Sequence, residues 1–192
     1  MTVYSVDTAI RQSVYITVAT LSIGISYGLV HAFGKYELYK VAAPSAGAIC
    51  ALVLWFFDHM LWRIRGFNQF LGIPNLNGEW KGVVNKPNAG TPLDVTVTIS
   101  QTFHKLSIVL ETATTRSRSE VIGLFVQDSR QITVQYTYIV KYTSGAQAGT
   151  PYGHGTNELT LRSEQKGLIL KGPYYSSHSK NGSVEVRLAR TT

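Results

Sequence analysis

Residues 14–32 read VYITVATLSIGISYGLVHA and residues 41–57 read VAAPSAGAICALVLWFF, and these two apolar runs decide the architecture of the chain. The first holds no Lys, Arg, Asp or Glu, and only His31, at its end, can become cationic. As a helix it spans roughly 28 Å at about 1.5 Å per residue, close to the hydrocarbon thickness of a bilayer. The second reaches a similar length once its aromatic end and residues 58–62 are included. Between them residues 34–40, GKYELYK, are short and charged, as a hairpin loop at a membrane surface requires. Neither run has a polar face at helical spacing, which argues against two buried helices of a water-soluble domain. Val30-His31-Ala32 resembles a signal-peptide cleavage site. The apolar run before it, however, exceeds the ~7–15 residues of a signal peptide, and a second run follows at once. Two membrane spans are the expectation.

Outward from the hairpin, the first span contains Gly24-x-x-x-Gly28, and the second places Gly47 four residues from Ala43 and Ala51. Small residues at that spacing let helices approach closely in lipid, either within the hairpin or between copies. Pro44 falls in the first turn of the second span, where its missing N–H is harmless. Trp55, Phe56, Phe57 and Trp62 form an aromatic interfacial end followed by Arg63 and Arg65. Counting Arg11, Arg63 and Arg65 against Lys35 and Lys40 places both termini on the cytoplasmic side. Residues 1–62 carry three basic and three acidic side chains, so the whole excess of +7 lies in residues 63–192. A basic soluble part suits anionic partners such as phosphates, nucleic acid or acidic lipid. The single cysteine, Cys50, sits in the second span, which excludes a disulfide framework and a Cys-based metal site.

Beyond a connector at residues 66–77 the texture changes to two-residue alternation with regular turn signals. Eight strands are predicted, at about 78–85, 93–101, 104–112, 117–127, 130–142, 154–163, 166–172 and 182–190. The fold class is therefore a membrane α-helical hairpin (1–65), a connector (66–77) and an all-β domain (78–192), a compact eight-stranded antiparallel barrel. Such a barrel has room inside for side chains or one small ligand. The parity that buries Trp80, Val95, Val97, Ile99, Leu106, Ile108, Leu110, Val134, Leu159, Leu170, Val184 and Val186 also turns Thr112, Tyr136, Tyr138, Tyr142, Asn157, Gly172 and Tyr174 inward. Ser117 and Ser119 join them if Val121 points inward. The interior thus acquires a polar, tyrosine-rich end.

No nucleophile elbow, His-Glu-x-x-His or phosphate-cradling Gly-x-x-x-x-Gly-Lys loop is present, and the five histidines lack metal-ligand spacing. The expectation is a binding protein, not an enzyme, with no cofactor or metal. Inward tyrosines and hydroxyls suit a nucleotide: aromatic faces stack bases, and Ser, Thr and Asn bond their edges. Arg116, Arg118, Lys141, Lys180 and Arg187, near the barrel mouths, are the candidates for phosphate. The plainer alternative is that these tyrosines are core residues with wet hydroxyls.

A set of motifs follows the hairpin in order: Asn77-Gly78-Glu79-Trp80-Lys81-Gly82, Gln101-Thr102-Phe103, Glu111-Thr112 and Ser117-Arg118-Ser119. Tyr136-Thr137-Tyr138, His154-Gly155-Thr156, Leu170-Lys171-Gly172-Pro173-Tyr174 and Gly182-Ser183-Val184-Glu185-Val186 complete it. The set resembles the bacterial two-transmembrane, β-strand-rich effectors of CBASS anti-phage operons. The resemblance implies a barrel that binds a cyclic dinucleotide made by a partner nucleotidyltransferase, and no DNA or RNA polymer. It also implies homo-oligomerisation on binding, disruption of the bacterial inner membrane by the two-pass helices, and death of the infected cell. The site residues it implies are Ser117, Ser119, Tyr136, Tyr138, Asn157 and Tyr174. Phe103 stands where the family pattern leads one to expect Trp, and Pro173 interrupts a Gly-x-Tyr step. Gly78-x-Trp80 also resembles lipocalin-like barrels, so a tethered carrier of an apolar ligand is one alternative; a cyclic-mononucleotide-gated effector of related defence systems is another. A scaffold binding anionic lipid is a third.

Overall fold

Chain order explains most of the architecture. The computed structural model describes residues 1–6, 10–35, 45–87, 91–126, 131–142, 152–165, 167–177 and 180–190. It opens with two short strands, β1 (Thr2–Val3) and β2 (Ser5–Val6), followed by helices α1 (Ile10–Phe33), α2 (Ala46–His59) and α3 (Arg65–Leu71). Eight longer strands follow: β3 (Gly78–Asn85), β4 (Leu93–Gln101), β5 (Lys105–Glu111), β6 (Thr115–Val126), β7 (Ile132–Tyr142), β8 (Tyr152–Glu164), β9 (Gly167–Ser176) and β10 (Lys180–Arg190). Each pairs antiparallel with its neighbour in sequence, and β10 returns to β3. The eight close into an up-and-down barrel that leaves none of them as a bare edge.

Residues 11–33 and 46–63 are long and apolar enough to cross a membrane. Ser45 caps α2, its Oγ accepting from Ala48 N–H at 3.1 Å. Pro44 and most of the GKYELYK loop, residues 36–40, lie outside the described residues. Helix α1 packs on α2 through a face that buries Val18 and Ser22, while Phe57 is buried on α2. Ile16, Leu21, Ile23, Tyr27, Leu52 and Trp55 project outward, an apolar exterior far larger than water-facing helices carry. Gly24 and Gly28 lie on an exposed face, where an added Cβ meets nothing within 4 Å. The glycine pair therefore does not pack the hairpin on itself. Within the expected connector, residues 65–71 are helical, and Gly72 at φ 62° supplies the left-handed residue that ends the helix.

The compact units are Met1–Asp7 with Asn75–Thr192, and Thr8–Pro74. Reading 1–65 as one hairpin domain puts the first six residues with the helices; backbone pairing puts them with the barrel. One end of that barrel is pinned by Asn77 and Gln101, both buried. Gln101 N–H donates to Asn77 Oδ1 at 2.6 Å, Asn77 Nδ2 to Gln101 O at 2.9 Å, and Leu76 N–H to Gln101 Oε1 at 2.8 Å. Trp80, fully buried, donates its indole N–H to Leu76 O at 3.0 Å. Phe103 is fully buried as well.

Two strand details differ from simple alternation. Register along β6–β7 shifts between Ser119↔Tyr138 and Ile122↔Tyr136, so Glu120 and Val121 together oppose Thr137. This bulge resets the parity. Ser117 and Ser119 face inward although Val121 is 67% exposed, because Ile122 and Leu124 take over the inner face. Strand β9 also runs through Pro173 to Ser176 rather than stopping at Gly172. Its ladder with β8 lapses between Asn157↔Tyr174 and Thr160↔Lys171, which accommodates the missing proline N–H.

Candidate functional site

At the end opposite the Asn77–Gln101 pin, the described residues leave the barrel open. A cavity of about 120 Å³ there is lined by Thr112, Ser117, Tyr138, Tyr142, Asn157 and Tyr174, with Val84, Lys86, Leu93, Leu110, Thr114, Thr115, Val140, Ser176 and Val184. Six of the ten ligand-binding residues expected from parity and resemblance are thus brought together. They come from five strands or their ends, at inward positions near the open end of each.

Glycine opposite two of the three cavity tyrosines shapes the aromatic wall. Tyr138 pairs with Gly155 and Tyr174 with Gly182. A Cβ on Gly155 would collide with the Tyr138 hydroxyl and Tyr175 O, and one on Gly182 would lie 2.6 Å from the Tyr174 ring. The rings lie across the neighbouring strand where no side chain obstructs them. Tyr138 donates to Tyr175 O at 3.4 Å, and its ring is tilted 57° to that of Tyr136, 6.2 Å away.

Asn157, 3% exposed, donates its amide N–H to the Tyr136 hydroxyl, while its Oδ1 is buried with no partner among the described residues. The Tyr174 hydroxyl is buried without a partner too. Unsatisfied buried polar atoms are rare and call for an explanation; here both belong to residues lining one open cavity. Burial holds the Tyr138 pKa at about 12, helped by Tyr174 and Tyr142, and raises that of Tyr174 by the same cause. Burial raises Tyr136 further, against the Asn157 hydrogen bond, with Tyr138 adding to the rise. All three remain neutral hydroxyls at physiological pH.

The other expected residues fall elsewhere. Tyr136 lies in the core outside the cavity lining, as the partner of Asn157. Ser119 is committed to the wall, its Oγ accepting from Ile108 N–H at 3.0 Å. Arg116 and Arg118 do not reach the cavity. They alternate with inward Ser117 and Ser119, so they stand on the outer wall, where Arg116 pairs with Glu111 at 2.9 Å. Lys141 lines a groove on the outside of the barrel with Arg116 and Arg118, and Arg187 meets Glu164 and Glu185 on the exterior. Among the described residues, the cation lining the cavity is Lys86, at the end of β3. Its signal in sequence is position: it opens the KPNAGT turn immediately after an inward Val84 and an outward Asn85. Thr112 is held by the β5–β6 turn, its Oγ1 2.7 Å from Thr115 Oγ1 and accepting from Thr115 N–H at 3.1 Å. Among the described residues no group of three His, Cys, Asp or Glu could hold a metal.

A small closed barrel with one hydroxyl-lined open end is, by class, a receptor barrel for a small ligand. Residues 71–190 match the family described as Cap15, cyclic dinucleotide receptor domain, and the chain belongs to that family of CBASS effectors. A comparison with curated proteins returns no match.

Proposed function

We propose that the open end of the barrel binds a cyclic dinucleotide and that occupancy switches the membrane helices from a dormant to an assembled state. The observation that carries this reading is the pair of unpartnered buried atoms, Asn157 Oδ1 and Tyr174 Oη, beside stacking faces in the same cavity. A base edge completes both hydrogen bonds, Tyr138 and Tyr142 offer aromatic faces, and Lys86 meets a phosphate at the mouth. Thr112 and Ser117 add hydroxyls along the wall. Arg116 and Arg118 take part only through ligand or partner groups outside the barrel.

The nucleotide comes from a partner nucleotidyltransferase during phage infection. The chain resides in the bacterial inner membrane as a two-pass protein with termini and barrel on the cytoplasmic side. Bound ligand favours association only through its preference for the assembled form. The exposed Gly24–Gly28 face of α1 supplies the close-packing surface between copies, and Gly47 a second small-residue position on α2. Assembled helices then disrupt the membrane and kill the cell. The cavity of about 120 Å³ favours a second reading, a cyclic mononucleotide with one base inserted. It lies below the ~300–1,000 Å³ of ordinary small-molecule pockets.

Calorimetry on the full chain in detergent, with cyclic dinucleotides and cyclic mononucleotides side by side, tests both. Micromolar or tighter binding of a dinucleotide that is lost in Asn157→Ala supports the first reading. Binding of mononucleotides alone moves the assignment to the second, and a chain indifferent to all of them removes both.

A further inference from the structure

The seam between β5 and β6 is unlike the others in the barrel. These strands share three residue pairs, Val109↔Arg118, Leu110↔Ser117 and Glu111↔Arg116. Every other adjacent pair of barrel strands shares six or more. Toward the pinned end β5 and β6 part, and the chain's own N-terminus lies between them. Thr2 and Val3 run antiparallel to Leu106 and Lys105, while Ser5 and Val6 run parallel to Gly123 and Leu124. Tyr4, between these short strands, is 1% exposed and belongs to the barrel core. Its N–H donates to His104 O and its hydroxyl accepts from Gln101 Nε2, both at 3.4 Å. This is strand addition to an open slot, supplied by the same chain and lying outside the matched residues 71–190.

Two features tie the slot to the cavity. Leu110 and Ser117, which form one of the three shared pairs, line the cavity wall, and Thr112 and Thr115 continue it. Between those pairs and the strap, Ile108 N–H bonds to Ser119 Oγ. From open end to pinned end the seam is therefore three pairs, one serine staple, then the strap. A ligand of two nucleotides exceeds a cavity of about 120 Å³, so whatever part of it does not stay at the open mouth requires the wall to move. The wall whose two strands share the fewest paired residues is this one. Only residues 7–9 separate the strap from α1.

We infer that the β5–β6 slot is a binding site for the chain's own residues 2–6, and that a cyclic dinucleotide in the cavity opens the seam and releases them. The ligand half of this inference rests on the function proposed above. Strap and ligand then weaken each other by the same factor, because coupling between sites is reciprocal. Release frees the segment leading directly into α1, which connects occupancy of the barrel to the membrane helices. Ser119 becomes a positioning residue of the seam rather than a ligand contact.

The test uses the full chain carrying Cys50→Ser in phosphatidylethanolamine–phosphatidylglycerol vesicles, with cyclic di-AMP, cyclic di-GMP and cyclic di-UMP as probes. Val3→Cys with Lys105→Cys puts thiols on two exposed, directly paired positions, so oxidation pins the strap and reduction frees it. A probe that binds the reduced form is expected to bind the oxidised form about tenfold more weakly, with recovery on reduction. Equal affinity in the two redox states overturns the inference. Hydrogen exchange on the ligand-free chain is the second arm. Tyr4→Ala is expected to raise exchange across residues 108–117 as well as at 105–106 and 123–124, leaving the β8–β9 ladder unchanged. Undiminished protection of 108–117 in that variant overturns the coupling. If no probe binds either form, the nucleotide reading fails, and the exchange arm alone decides whether strap and rim are linked.

Discussion

Tyr174 carries a buried hydroxyl without a partner, an arrangement that disfavours the folded state by roughly 1–3 kcal/mol unless a ligand completes it. Tyr174→Phe is therefore expected to leave the melting temperature unchanged or slightly higher while weakening cyclic dinucleotide binding by about tenfold. A variant that loses stability and keeps full affinity would place the hydroxyl in the fold and not in the site. Tyr138 offers a pH test. Its pKa of about 12 in the folded chain stands above the ordinary 10.0 of an unfolded tyrosine. The folded state holds that proton longer, so its contribution to stability is complete below pH 10 and is lost as pH rises toward 12. The alkaline fall in melting temperature is expected to be shallower in Tyr138→Phe, measured alongside tyrosinate absorbance. Parallel curves for the two proteins would contradict it.

At the scale of elements, the glycines opposite the tyrosines shape the cavity. Gly155→Ala and Gly182→Ala each drive a methyl into a tyrosine and a neighbouring backbone oxygen, at an expected destabilisation of about 1–3 kcal/mol. Both should also lose ligand, read by denaturant midpoint and calorimetry on the same sample; a ligand affinity equal to the parent's would remove the rings from the site. On α1 the opposite holds. At Gly24 and Gly28 an added Cβ meets nothing within 4 Å, so in Gly24→Leu with Gly28→Leu ligand binding is expected to persist while ligand-driven assembly and killing are lost. Retained toxicity ends that role for the glycine face. Strand existence and order were legible from alternation and turn residues, and inward Tyr138, Tyr142, Asn157 and Tyr174 followed from parity. Parity failed to explain β6 because the bulge at Glu120–Val121 is a backbone event with no side-chain signature. Arg116 and Arg118, expected near a barrel mouth as phosphate partners, stand on the outer wall because neighbours of inward serines point outward.

For the whole molecule, Met1–Asp7 belong with a barrel that begins about seventy residues later. Deleting residues 2–6 removes Tyr4 from the core and uncovers the β5–β6 slot. The expected loss is about 3–5 kcal/mol, on the scale for emptying a large aromatic site. It is read as a fall in the unfolding temperature of the full-length protein's barrel, followed through Trp80. A deletion variant as stable as the parent would show that the strap contributes no core. The same result bears on any soluble fragment that starts after the helices, because such a fragment lacks the strap.

Features with a local period or a local length are written in the residues themselves: two apolar runs matched to a bilayer, eight alternating strands, a polar inner end. Side chains encode those features directly, residue beside residue. That residues 2–6 fill a seam between strands about a hundred positions away emerges only from the folded chain, since five residues are too few to show a period and backbone pairing is indifferent to side-chain identity. Folding also separates inward polar groups by depth. Tyr136 and Ser119 spend their hydrogen bonds on Asn157 and on the barrel wall, while Asn157 Oδ1 and Tyr174 Oη are left at the open cavity. That division depends on how far along the barrel each residue lies and which atoms surround it, and closure of the sheet is what sets both.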